Sequence, residues 1–205
     1  ADLAKDLRNG VSFLLKGATD ERSAEVRDRI LRAVSGHPAR KVAALGHYFI
    51  DDLVASIRPQ MQQVLDQHGD LGHDRVVISA SPTEIVSRLA HAAGLEHGIG
   101  TTAARDGQDV YTGELEGPFC YGEGKVAVMQ AIAVQQGYDL AECYAYSDSA
   151  SDLPMLEAVG HPVAVNPEPE LRLIAQERGW PVVETSSVPR VKLRSLSGLT
   201  ALTRN

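Results

Sequence analysis

Three features that the sequence lacks narrow the class of protein. The 205-residue chain has only two cysteines, Cys120 and Cys143, too few for a disulfide framework, so we expect a reducing, cytoplasmic location. No run approaches the roughly 18 apolar residues of a membrane span. The net charge of -7 lacks the basic excess typical of general nucleic-acid binders. These absences favour a soluble globular protein that binds neither nucleic acid nor membrane.

Several catalytic motifs are also absent. The chain contains no G-x-S-x-G elbow, Walker loop or dinucleotide fingerprint. Its seven histidines show no metal-ligand spacing, and we interpret His47, His68 and His91 as surface or core residues. Asp51 and Asp52 lie on a helix whose apolar stripe faces elsewhere, which indicates a solvated face.

The first third of the chain reads as helical. Apolar residues recur at helical spacing from Leu3 to Leu15 and from Val42 to Ile57. A further helix is predicted between them, from Glu21 to Val34, and a short one from Pro59 to about Gln67. No strand pattern appears before residue 75.

The remainder alternates between strands and helices. Arg75 to Ser79 is a β-branched run typical of a buried parallel strand, and Ser81 to Glu84 has the form of a helix capping box. Asp106-Gly107 predicts the turn of a hairpin. This alternation indicates an α/β fold with a parallel sheet and right-handed crossovers. The other predicted strands cover residues 98–102, 110–115, 142–147, 162–165 and 181–184, and the other helices 122–136, 151–159 and 166–179.

Candidate functional residues follow the predicted strands, where ligands bind in open α/β sheets. Ser79 ends a strand directly before a helix, so its hydroxyl and the free amides there suit a phosphate; alternatively, Ser79 only helps to cap the helix. Lys125 lies in the first turn of a helix, where the helix dipole disfavours a cation. A phosphoryl group would favour it there, although a solvated surface lysine is the simpler alternative.

Two carboxylates converge on one loop after the strand that ends at Ser147. Asp148 follows that strand and Asp152 lies four residues later, in the first turn of a helix. Carboxylate oxygens suit a hard cation such as Mg²⁺. The alternative makes Asp148 a turn residue and Asp152 a favourable charge for the helix dipole.

Taken together, these segments resemble the haloacid dehalogenase (HAD) superfamily, specifically its subfamily IB, the phosphoserine-phosphatase-like branch with a helical cap. The resemblance covers roughly residues 40 to 184. It rests on Val77-Ile78-Ser79-Ala80-Ser81, Gly122-Glu123-Gly124-Lys125, Asp148 through Leu156, and Gly160 through Pro167.

The resemblance implies a Rossmann-like core and a Mg²⁺-dependent hydrolase of small phosphomonoesters, with phosphoserine as the candidate substrate. By this resemblance, residues 1–60 form the helical cap, 61–184 the core and 185–205 a basic tail. Ser79, Ala80 and Lys125 would bind phosphate, and Asp148 and Asp152 the metal. Ser79, Lys125 and Asp152 would be the catalytic residues.

The chain departs from the family pattern at the first motif. An apolar strand ending in Asp-x-Asp, which carries the family's nucleophile, is nowhere in the sequence. We expect this strand upstream of Ala1, at the centre of the sheet, between the strands that carry Ser79 and Asp148. A complete protein would then be a phosphatase and the 205-residue chain inactive. The alternative is a catalytically inactive phosphate-binding or interaction protein that lacks the nucleophile.

Overall fold

Helices form the first part of the structure, a computed structural model that describes residues 20–46 and 50–185. The sequence explains the ends of two of them: the Ser35-Gly36 turn, with Gly36 at a φ of 76°, stops the first helix, and Pro59 opens the fourth at a position that tolerates proline. These helices are α1 (Asp20–Val34), α2 (Ala39–Gly46), α3 (Ile50–Ala55) and α4 (Pro59–Asp70).

Strands and helices alternate after α4, as the sequence predicts. The strands are β1 (Val76–Pro82), β2 (His97–Thr101), β3 (Ala103–Arg105), β4 (Tyr111–Leu115), β5 (Tyr144–Ser147), β6 (His161–Val165) and β7 (Val182–Val183). The helices are α5 (Thr83–Ala92), α6 (Glu123–Gln136), α7 (Leu153–Glu157) and α8 (Pro169–Arg178). Short 3₁₀ turns at Leu140–Glu142 and Ala150–Asp152 flank β5.

The parallel strands form two separate groups. β1 pairs with β2, and β5, β6 and β7 pair in that order, all parallel. The predicted hairpin is confirmed as the antiparallel pair β3–β4. Among the described residues, β1 and β5 pair neither with each other nor with a common neighbour. The sheet is therefore interrupted between the strand that carries Ser79 and the strand that precedes Asp148.

Two apolar clusters hold these layers together. The larger lies between the β5–β6 pair and helices α6, α7 and α8; Leu156 and Leu171 at its centre are fully buried. Ile78 of β1 packs against it, which joins the two strand groups through side chains. In the second cluster Tyr111 of β4 packs on α1 and α2, so the hairpin contacts these two helices.

The structure corrects the predicted capping box at Ser81. β1 continues to Pro82, and α5 begins at Thr83 without a side-chain cap. The regular pairing of β1 ends at Ile78 and resumes at Pro82. Ser79 therefore lies inside an irregular stretch of the strand rather than at its end, because the Ser79–Ser81 segment bulges out of register.

Two predicted helical stripes near the N-terminus fall partly or wholly on residues that the structure does not describe. The stripe from Val42 to Ile57 falls on two helices, α2 and α3, with residues 47–49 outside the described part of the chain. The predicted helix from Leu3 to Leu15 also lies outside the described residues. No helix within the described ranges is both long and apolar enough to span a bilayer.

The buried core predicts a contrast between two leucines. Leu156 is fully buried, whereas Leu173 on α8 is 62% exposed. Because Leu156→Ala leaves a cavity, we expect it to lower the free energy of unfolding by about 2–5 kcal/mol. Leu173→Ala should change it by roughly 0.5 kcal/mol or less. Urea denaturation of both variants tests this, and equal losses would contradict the assigned core.

Candidate active site

A nearly buried ion pair lies at the centre of the candidate site. Lys125 Nζ lies 2.7 Å from the Asp152 carboxylate, and the two side chains are 12% and 10% exposed. Ser147 Oγ donates a second hydrogen bond to Asp152 Oδ2, over 2.7 Å. The pair joins the first turn of α6 to the loop after β5, two segments that are distant in sequence.

Glycines bring Lys125 to this position. Gly122, which precedes α6, has a φ of 51°, a conformation that side chains with a Cβ rarely adopt. A Cβ on Gly124 would lie 1.7 Å from the carbonyl oxygen of Phe119. The first turn of α6 therefore packs directly on the preceding loop, and this close approach requires glycine.

The bulge in β1 supplies polar groups beside this pair. Ser79, Ala80 and Ser81 are all buried, and the Ser81 amide donates to Ser79 Oγ at 3.2 Å. The Ala80 carbonyl accepts from Thr101 Oγ1 at 2.9 Å. Ser81 Oγ is buried and has no hydrogen-bond partner among the described residues. The bulge thus presents hydroxyls and amides of the kind that bind phosphate oxygens.

Cys120 links the bulge to the ion pair. It is fully buried, and its amide donates to Thr101 Oγ1 at 3.2 Å. Burial raises the pKa of its thiol to about 11, opposed by the Lys125 charge and by the Ser79 amide, with Asp152 adding to the increase. A thiol with this pKa stays protonated near neutral pH and is a poor nucleophile. The bulge at Ser79 and the Lys125–Asp152 pair therefore both lie near Cys120.

Asp148 lies on the exposed side of this cluster, directly after β5. Desolvation by the surrounding protein raises the pKa of its carboxyl group, and the negative charges of Asp152 and Glu168 act in the same direction. Its own backbone amide and the Arg58 guanidinium oppose this increase. Since the residue is exposed overall, solvent screens part of the effect. The carboxylates of Asp148, Asp152 and Glu168 therefore repel one another, and a bound cation would reduce this repulsion.

The carboxylates here fit part of a Mg²⁺ site. Asp152 Oδ1 is buried, lies within ion-pair distance of Lys125 and accepts no hydrogen bond from the described residues, and Asp148 is accessible to water. Oxygen ligands and retained waters are what Mg²⁺ prefers. Within the described ranges, no group of three or more His, Cys, Asp or Glu residues forms a complete metal site. Any further protein ligand would have to come from elsewhere.

The structure groups the residues singled out from the sequence, and it adds others. Ser79, Lys125 and Asp152 all lie near Cys120, and Asp148 begins the loop that carries Asp152. Ser147, Cys120 and Thr101 were not predicted. Ser147 could have been found from the sequence, because it ends a predicted strand directly before Asp148. Cys143, which its apolar neighbours predict to be buried, is only half-buried, because it precedes β5.

The comparison with known proteins assigns the chain to a family. The family model for haloacid dehalogenase-like hydrolases matches residues 2–157. This match covers most of the chain and includes Ser79, Lys125, Asp148 and Asp152. The chain therefore belongs to the haloacid dehalogenase-like hydrolases and has their α/β fold.

Two curated relatives and a solved structure are similar to the chain over most of its length. A probable phosphatase of Mycobacterium tuberculosis is 40% identical over 176 residues, which cover 85% of this chain and 60% of that protein. Phosphoserine phosphatase SerB1 of the same species is 36% identical over 158 residues, 76% of this chain and 51% of the relative. A crystal structure of a Bordetella pertussis protein with unknown function is 31% identical, with a TM-score of 0.71 over 86% of this chain and 79% of that one. The chain thus spans about half to three fifths of these curated relatives.

The ion pair predicts a specific stability pattern. Lys125→Met leaves the Asp152 carboxylate buried without its cation, and we expect the free energy of unfolding to fall by about 3 kcal/mol. Adding Asp152→Asn removes the unpaired charge and should restore part of that loss. Lys41→Met, on the exposed surface of α2, is the matched control. A loss for Lys125→Met no larger than the control's, measured by urea denaturation, would contradict the ion pair.

Proposed function

We propose that this protein is a Mg²⁺-dependent phosphomonoester hydrolase that acts through an aspartyl-phosphate. The observation that carries the proposal is the Lys125–Asp152 ion pair beside the Ser79–Ser81 bulge. The Ser79 amide and the Lys125 cation both interact with Cys120, the bulge adds buried hydroxyls, and the exposed Asp148 lies on the loop that carries Asp152. Such an arrangement neutralises the charge of a phosphoryl group during its transfer.

Each residue has a distinct role in this proposal. Ser79 Oγ and the Ala80 amide bind phosphoryl oxygens, and Lys125 contributes the positive charge. Asp152 holds Lys125 in place, and Asp148 and Asp152 together hold the metal or its waters. Mg²⁺, when bound, would offset the negative charge of the phosphoryl group.

We place the nucleophile on a strand between β1 and β5, encoded upstream of Ala1. The interruption of the sheet supports this position, because an unpaired edge on both strands would leave buried backbone groups without partners. A carboxylate oxygen at the end of that strand attacks phosphorus, and the bond from phosphorus to the leaving oxygen breaks. The second aspartate of Asp-x-Asp gives that oxygen a proton. Water then cleaves the aspartyl-phosphate and releases inorganic phosphate.

The proposal extends to the domains and the substrate. Residues 1–60 would form a helical cap, 61–184 the core and 185–205 a basic tail. The packing of Tyr111 against α1 and α2 supports contact between cap and core. The substrate would be a small phosphomonoester in the cytoplasm, with phosphoserine as the first candidate because a relative is named a phosphoserine phosphatase.

A catalytically inactive phosphate-binding protein is the second candidate. It is supported by the Ser79–Ser81 bulge, whose hydroxyls and amides suit a phosphate, and by Cys120, whose raised pKa keeps its thiol protonated. The two candidates differ in the segment that fills the interruption in the sheet. An apolar strand ending in Asp-x-Asp supports the hydrolase, and its absence supports the binding protein.

Activity measurements separate the two. The protein with its upstream sequence should hydrolyse p-nitrophenyl phosphate in the presence of Mg²⁺ and lose this activity with EDTA. The 205-residue chain should show no turnover because it lacks the nucleophile. Turnover by the 205-residue chain would refute the proposed mechanism, and inactivity of the longer protein towards a panel of phosphomonoesters would support the binding protein.

Asp148 and Lys125 should be essential to that activity. We expect Asp148→Asn and Lys125→Ala each to lower kcat/KM by about 100-fold or more, in the range found when one charge-stabilising group is removed from an active site. Asp51→Asn, on the exposed face of α3, is the control and should leave kcat/KM unchanged. Steady-state kinetics on the longer protein provides the test; a loss below about threefold for either site variant counts against the assigned roles.

A further inference from the structure

Hydrogen bonds join the loop that carries Asp148 to Glu168, in the turn before α8. The Glu168 amide donates to the Asp148 carbonyl at 2.9 Å. Glu168 Oε1 accepts from the Ala150 amide at 2.5 Å and from Ser149 Oγ at 3.3 Å. Three bonds therefore converge on Glu168 from three consecutive loop residues. The other hydrogen bonds of Ser149 reach only Ser151 in the same loop and Ser147 at the end of β5.

The turn that carries Glu168 is itself held firmly. Asn166 has a φ of 43°, in the left-handed region, and its amide donates to the Val183 carbonyl at 2.8 Å. Its side chain donates to Thr185 Oγ1 at 2.6 Å and accepts from the Thr185 amide at 2.7 Å. Thr185 Oγ1 also accepts from Arg58 Nη1 at 2.9 Å. A turn fixed at so many points provides a rigid anchor for Glu168.

The charge of Glu168 is informative as well. A neutral acceptor would satisfy the Ala150 amide equally well, whereas a carboxylate adds a negative charge beside Asp148. That charge is unfavourable in the absence of a cation and favourable when one binds. Glu168 therefore combines two properties of a residue that surrounds a metal site: it fixes the loop that supplies the ligand, and it increases the attraction for a cation.

We propose that Glu168 is a positioning residue, which clamps the Asp148–Ser151 loop in the conformation that binds Mg²⁺. The inference rests on the proposed function, since it assigns the loop to the metal. Glu168 acts through Asp148 and does not itself coordinate the ion. Residues outside a metal's ligand shell that hold its ligands commonly change the affinity for the metal by 10–100-fold when they are removed.

The first test needs no metal. In the metal-free protein with its upstream sequence, Glu168→Ala should increase hydrogen exchange at the Ala150 amide by about tenfold or more, because that amide loses its acceptor. Glu168→Gln keeps an acceptor oxygen and should retain most of the protection. Glu170→Ala is the matched control, since Glu170 is exposed in the first turn of α8, the helix that begins directly after Glu168. Equal exchange in all three variants would overturn the clamp.

The second test measures the metal directly. In the protein with its upstream sequence, Glu168→Ala should weaken Mn²⁺ binding, measured by electron paramagnetic resonance, by about 10-fold or more. Glu168→Gln should weaken it by less, and Glu170→Ala not at all. Urea denaturation shows whether each variant is folded, so that a weaker affinity is not mistaken for unfolding.

The two tests distinguish the inference from the function on which it rests. If the unaltered protein bound Mn²⁺ and Glu168→Ala bound it equally well, the positioning role would be wrong and the proposed function would stand. If the unaltered protein bound no Mn²⁺, both would be wrong. A loss of affinity in Glu168→Ala that Glu168→Gln partly restores, together with faster exchange at Ala150, is the result we expect.

Discussion

The Lys125–Asp152 ion pair is the contact on which the candidate site depends. Burying either charge alone would be costly, and the pair is acceptable only because the two groups meet with Ser147 as an additional donor. To bring them together, α6 must begin with a close glycine contact at Gly124. The loop after β5 must also turn back towards α6. Local features in two distant segments therefore serve one interaction.

The two halves of the interrupted sheet are joined through side chains. β1 and β5 share no backbone hydrogen bonds among the described strands, yet Ile78 packs on the cluster around Leu156. Cys120 lies where the polar groups of both halves meet. Side-chain packing, rather than backbone pairing, therefore relates β1 to β5 among the described strands.

The site has an asymmetry that bears on its chemistry. On the side of β1 the groups are neutral hydroxyls and amides, whereas carboxylates predominate after β5, with Asp148, Asp152 and Glu168 close together. Neutral donors suit the oxygens of a phosphate, and clustered carboxylates suit a divalent cation. The Lys125 cation pairs with Asp152, on the carboxylate side. This division of the polar groups is consistent with a phosphoryl group on one side and a metal on the other.

The sequence by itself determined the order and type of the elements, because hydrophobic periodicity and glycine or proline breaks are local signals. It predicted α1, the β3–β4 hairpin and the alternation of strands and helices, and it singled out Ser79, Lys125, Asp148 and Asp152. The bulge at Ser79–Ser81 and the partners of Lys125 and Glu168 were decided only by the tertiary structure. Register in β1 depends on its pairing with β2, and a buried charge takes its partner from a segment whose distance no local pattern encodes.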